Sequence, residues 1–67
     1  MALSARNHLK GVIDEILWGD VLAHVTIRVG ADLIESVITK RSAEEMHLQK
    51  GDAVTAVVKA TEVMIEK

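Results

Sequence analysis

The sequence predicts a small all-β domain, and three observations lead to that class. Val21 to Val29 runs with a period of two, Val21, Ala23, Val25, Ile27 and Val29 on one side and Leu22, His24, Thr26 and Arg28 on the other. The apolar content is mostly Val, Ile, Leu and Ala, and turn signals recur at Gly19-Asp20, Gly30-Ala31-Asp32 and Gln49-Lys50-Gly51-Asp52. At 67 residues the chain has room for one domain, placed over residues 1–67.

The first strand is expected over Asn7 to Trp18. Its apolar residues Leu9, Val12, Ile13, Ile16 and Leu17 alternate poorly, which suggests packing on both faces, and Gly11 marks a bulge or a sharp bend. Gly19-Asp20 turns the chain into Val21 to Val29, although the favoured hairpin order is the reverse. Leu33 to Thr39 forms a third strand, with Leu33 and Val37 on one face and Ile34 and Ile38 on the other. Ser42-Ala43-Glu44-Glu45 reads as a capping box, with Ser42 as N-cap of a short helix ending near Met46 or His47. Ala53 to Lys59 supplies a fourth strand and Val63 to Ile65 a short fifth. Five strands with one helix between the third and fourth is the order of a five-stranded OB-like barrel.

Composition limits what such a domain does. Hydrophobic residues make up 49% of the chain, yet Trp18 is the only aromatic residue. A short chain hides that much aliphatic surface poorly, and exposed apolar patches mark interfaces. Cysteine is absent and His8, His24 and His47 are widely spaced, so disulfide and metal staples are excluded. A homo-oligomer is therefore expected. The net charge of −2 gives no basic excess for nucleic acid, and one aromatic provides no stacking platform. No apolar run approaches the ~18 residues of a membrane span, and Met1 to Lys10 lacks the apolar core of a signal peptide, so a cytoplasmic location is expected.

Two segments carry donors suited to an anion. Ser4-Ala5-Arg6-Asn7 combines a hydroxyl, successive backbone N–H groups and a guanidinium just before a strand. Lys59-Ala60-Thr61 sets an ammonium and a hydroxyl where an apolar strand breaks off. Each has a plainer reading, a solvated terminus for the first and a charge guarding a sheet edge for the second. Asp14 and Glu15 are adjacent, so they face opposite ways on a strand and form no acid/base pair. No nucleophile stands with a base, which argues against an enzyme.

Ser4-Ala5-Arg6-Asn7-His8-Leu9-Lys10-Gly11 resembles the start of a Mop domain, the molbindin family of molybdate-binding proteins. Thr55-Ala56-Val57-Val58-Lys59-Ala60-Thr61-Glu62-Val63-Met64-Ile65 is similar to that family's second signature, and Val37-Ile38-Thr39-Lys40 and Gly51-Asp52 fall in register between them. The resemblance implies an OB-like barrel in a hexamer, a trimer of dimers, holding molybdate or tungstate at subunit interfaces, with no organic cofactor. One class of site would use Ser4, the backbone of Ala5 and Arg6, and Lys59, Ala60 and Thr61 from a neighbouring chain. A second, near the threefold axis, would draw on Gly19, Asp20 and Val21 and on Ser36, Ile38 and Thr39. Trp18, Asp20 and Leu22 depart from the family pattern around that second class.

The implied role is intracellular storage or homeostasis of molybdate. The competing reading is a ligand-sensing module of a molybdate-responsive regulator or transporter, and an OB-fold nucleic-acid binder ranks below both. Met1 lying close to the first motif and the end falling soon after Ile65 favour a stand-alone protein.

Overall fold

The computed structural model describes residues 5–67. It contains β1 (Asn7–Trp18), β2 (Leu22–Val29), β3 (Asp32–Thr39), α1 (Lys40–Glu45), β4 (Ala53–Val58) and a 3-10 helix at Ala60–Glu62. The strands form one antiparallel sheet in the order β3-β2-β1-β4. β3 and β4 are therefore its two edges. The inner face carries Ile13, Val25, Ile27 and Ala56, with Ile16, Val29, Ile34, Ile38, Leu48 and Val54 packed around them.

β1 explains its own poor alternation. The register with β2 slips between Ile13 and Glu15, leaving Asp14 as a bulge. Ile13 is buried and Ile16 half-buried, three residues apart, because the bulge resets the phase of the pleat. The expectation of packing on both faces is corrected accordingly. Val12 and Leu17 lie on the outer face and stay 45% and 57% exposed. Gly11 holds no bulge either. It pairs regularly with Val54, and a Cβ there would run into the Arg28 carbonyl and the Ile27 side chain. Close approach of β1 to β2 is what excludes a side chain at this point.

The β1–β2 turn closes with the Gly19 N–H donating to the Leu22 carbonyl at 2.8 Å. A Cβ on Gly19 would sit 2.9 Å from that oxygen, so the residue order follows from crowding. The strand after it starts at Leu22, one residue later than expected.

The helix cap also differs. Thr39 is the N-cap, in extended conformation at the end of β3, and its Oγ1 accepts from the Ser42 N–H at 3.0 Å. T-x-x-S thus wins over S-x-x-E, because β3 runs straight into the helix and leaves no room for a later start. Glu45 lies 3.5 Å from Arg41 instead of reaching back to Ser42. Past the helix, the Asp52 carboxylate accepts from the Gln49 N–H, and the Gly51 N–H and Ile13 carbonyl join this turn to β1.

β4 ends at Val58, and the expected fifth strand at Val63 to Ile65 is not formed. The 3-10 turn redirects the chain after Lys59, and a strand exists only against an edge that pairs with it. Val63, Met64 and Ile65 are left 54%, 93% and 94% exposed. What the chain shows is an all-β domain with a four-stranded open sheet and one short helix.

Candidate oxyanion-binding site

Antiparallel pairing of β1 with β4 brings the two donor segments together. Asn7 stands opposite Val58, so the next residues outward, Arg6 and Lys59, continue the two strands side by side. Ala5 and Arg6 enter β1 at the corner from which Lys59, Ala60 and Thr61 leave β4. Ser4 lies outside the described residues. Within one chain, Ala5 and Arg6 thus lie at the corner from which Lys59 to Thr61 depart.

The local geometry at Lys59 explains why donors collect there. Lys59 is extended and caps the 3-10 turn, with the Glu62 N–H donating to its carbonyl at 2.9 Å. The amides of Ala60 and Thr61 open that turn, where a helix supplies no acceptor of its own. Arg6 and Lys59 are both exposed, and the Lys59, Ala60 and Thr61 stretch adds an ammonium, two amides and a hydroxyl.

The second group of candidates divides into two places. Asp20, Val21 and Thr39 line one surface depression, together with Lys40, Arg41 and Glu44. The Lys40 N–H donates to the Val21 carbonyl at 2.8 Å, which ties the helix start to the β1–β2 turn. Ser36 and Ile38 instead point to the inner face, opposite Val25 and Ala23, and line the groove between the sheet edges. Gly19 is occupied with Leu22. A single chain therefore does not unite Ser36 and Ile38 with Asp20, Val21 and Thr39.

Two features of this region escaped the sequence reading. The Thr39 hydroxyl donates to the Ser42 hydroxyl at 2.8 Å, so Ser42 keeps its own proton for another acceptor. Lys40 and Arg41 put cations on the depression that also holds the Asp20 carboxylate. The T-x-x-S spacing was the available signal for the first, masked by the overlapping S-x-x-E.

The inner groove has a volume of about 370 Å³ and is lined mostly by aliphatic side chains of β3, β4 and the segment after α1. Among the described residues, no cluster of three or more His, Cys, Asp or Glu side chains is arranged to hold a metal ion. No helix among them is long and apolar enough to cross a membrane.

Comparison with known proteins identifies the family. The TOBE domain model matches residues 3–65. Molybdenum-pterin-binding protein 2 of Clostridium pasteurianum is 44% identical over 66 residues, which is 97% of each chain. The solved structure of a molybdate-binding protein from Sporomusa ovata superposes with a TM-score of 0.94 at 37% identity, covering all of both chains. The cytoplasmic molybdate-binding protein ModG, in a molybdate-bound form, gives a TM-score of 0.83 at 39% identity, covering 90% of this chain and 43% of that one. The chain belongs to the TOBE domain family, within its Mop, or molbindin, branch.

Proposed function

We propose that this chain binds molybdate as an intact oxyanion at the corner formed by Ser4, Ala5 and Arg6 with Lys59, Ala60 and Thr61. The observation that supports the reading is the β1–β4 register, in which Asn7 pairs with Val58, so that Arg6 and Lys59 extend the two paired strands. Its relatives carry molybdenum or molybdate in their names, and ModG was solved with molybdate bound. Molybdate is a tetrahedral dianion with acceptor oxygens only. N–H groups, a hydroxyl, an ammonium and a guanidinium match it without leaving a donor facing a donor. Hydrogen phosphate would turn its proton toward those donors, and an unmade bond costs about 1–3 kcal/mol. Sulfate is rejected by size alone, while tungstate matches molybdate in charge and size and competes with it. The protein is a binding module, not an enzyme.

The chain acts as one domain over residues 1–67 and assembles as a hexamer, a trimer of dimers. The five-stranded barrel is completed in that assembly. β3 and β4 border one aliphatic groove with both outer edges free, and the exposed Val63–Ile65 segment of a neighbouring copy suits it as the fifth strand. The turn at Gly19, Asp20 and Val21, with Ser36, Ile38 and Thr39, forms a second, weaker class of site once chains meet. Asp20 weakens it, and Lys40 and Arg41 on the same depression offset that carboxylate in part. The role is cytoplasmic storage or homeostasis of molybdate.

Equilibrium dialysis against molybdate, tungstate, sulfate and phosphate, alongside native mass, tests this reading. The expected result is tight and mutually competitive uptake of molybdate and tungstate, with sulfate weaker and phosphate weakest. Equal uptake of phosphate and molybdate contradicts the donor-only site.

A further inference from the structure

The outer face of the sheet has an uneven charge pattern that the binding corner alone does not use. Ile13 and Ala56 are buried on the inner face, so β1 presents His8, Lys10 and Val12 outward and β4 presents Ala53, Thr55 and Val57, with Arg6 and Lys59 just beyond the two strand ends. All eight are exposed, and none is acidic. Arg6, Lys10 and Lys59 place three positive charges here in a chain of net charge −2, so the remaining residues carry −5. The ion pairs of the described residues are His24–Glu35, Arg28–Asp14 and Arg41–Glu45. Lys10 and Lys59 take part in none of them.

We propose that this strip is a guiding surface, in which Lys10 speeds capture of the oxyanion by the corner without touching the bound ion. The inference rests on the Ser4–Arg6 and Lys59–Thr61 corner being the binding site. Lys10 lies four residues from Arg6, about 13 Å along the strand, which is too far for a shared hydrogen bond. Its ammonium acts through space. A dianion approaching a chain of negative net charge is repelled at long range, and a cationic lane of this length reverses the sign along one path. For a unit charge and a dianion about 10 Å apart in water, the attraction corresponds to roughly a two- to fourfold change in encounter rate. Salt removes it, because the Debye length falls from about 30 Å at 0.01 M to about 3 Å at 1 M.

The test is rapid mixing of the protein with molybdate, at about 0.01 M and about 0.5 M salt, for wild type, Lys10→Gln, Lys10→Glu, Lys10→Arg and Lys59→Ala. At low salt, Lys10→Gln should associate about two- to fourfold more slowly, Lys10→Glu more slowly still, and Lys10→Arg at the wild-type rate. Dissociation rates of all three should match wild type, and the differences should vanish at high salt. Lys59→Ala should instead release molybdate faster. Faster release from Lys10→Gln with unchanged association would make Lys10 a ligand and overturn the proposal. Unchanged association at low salt would overturn it as well. Absence of molybdate uptake by wild type would remove the binding corner itself, an outcome distinct from either.

Discussion

At the scale of single residues, glycine and hydroxyl positions do more than the sequence suggests. Gly11 sits in regular pairing, yet a methyl group there would meet the backbone of the neighbouring strand. Gly11→Ala should therefore destabilise the protein by about 1–3 kcal/mol, the range for forcing extra volume into a packed site. Urea denaturation at fixed chain concentration reads this as a lower midpoint, and an unchanged midpoint would mean that the strands separate freely. Thr39 is a second such position, since its hydroxyl both accepts from the Ser42 N–H and donates to the Ser42 hydroxyl. Thr39→Ala should cost about 1 kcal/mol, and Ser42→Ala distinctly less. Thermal melting that ranks the two in the opposite order would restore Ser42 as the cap.

At the scale of elements, β2 was legible because its inner residues Ala23, Val25 and Ile27 lie two apart and are all buried. The faces of β3 were legible for the same reason, Ile34 and Ile38 packing on the core while Leu33 and Val37 face outward. β1 was readable in extent but not in facing. Its bulge at Asp14 arises from pairing with β2, and a periodicity count along one strand cannot see its partner. The donor segments of the proposed corner were visible as separate motifs, but only the β1–β4 register makes Arg6 and Lys59 neighbours. Within one chain Ser36 and Ile38 stand apart from Asp20, because β3 alternates and both side chains turn to the inner face. The tail misled most. Val63 to Ile65 has strand composition, and within one chain no edge receives it.

At the scale of the whole molecule, the core is small and the exposed aliphatic surface is large. Among the described residues only six hydrophobic residues are buried, whereas Leu17, Leu22, Leu33 and Val37 stand exposed on the outer face. Surface of that kind is covered by association in soluble proteins. Sedimentation equilibrium at micromolar concentration should return six chains per particle. Ile65→Asp, which sets a charge on the exposed tail, should shift the distribution to smaller species. A monodisperse monomer in wild type, or a hexamer indifferent to Ile65→Asp, would contradict closure by a neighbour's tail.

The proposed assembly and the proposed binding corner meet at the segment from Lys59 to Ile65, which carries candidate donors at one end and the proposed fifth strand at the other. The central claim is that the donors at that corner hold the oxyanion. Calorimetric titration of molybdate into wild type, Ser4→Ala and Lys59→Ala, at matched chain concentration and with oligomer size checked in parallel, tests it most directly. Loss of the Lys59 ammonium should weaken binding by about 1.5–3 kcal/mol, the worth of a hydrogen bond to a charged group, with the oligomer intact. Ser4→Ala should cost less, about 0.5–1.5 kcal/mol. Wild-type affinity in both variants would place the oxyanion elsewhere on the molecule.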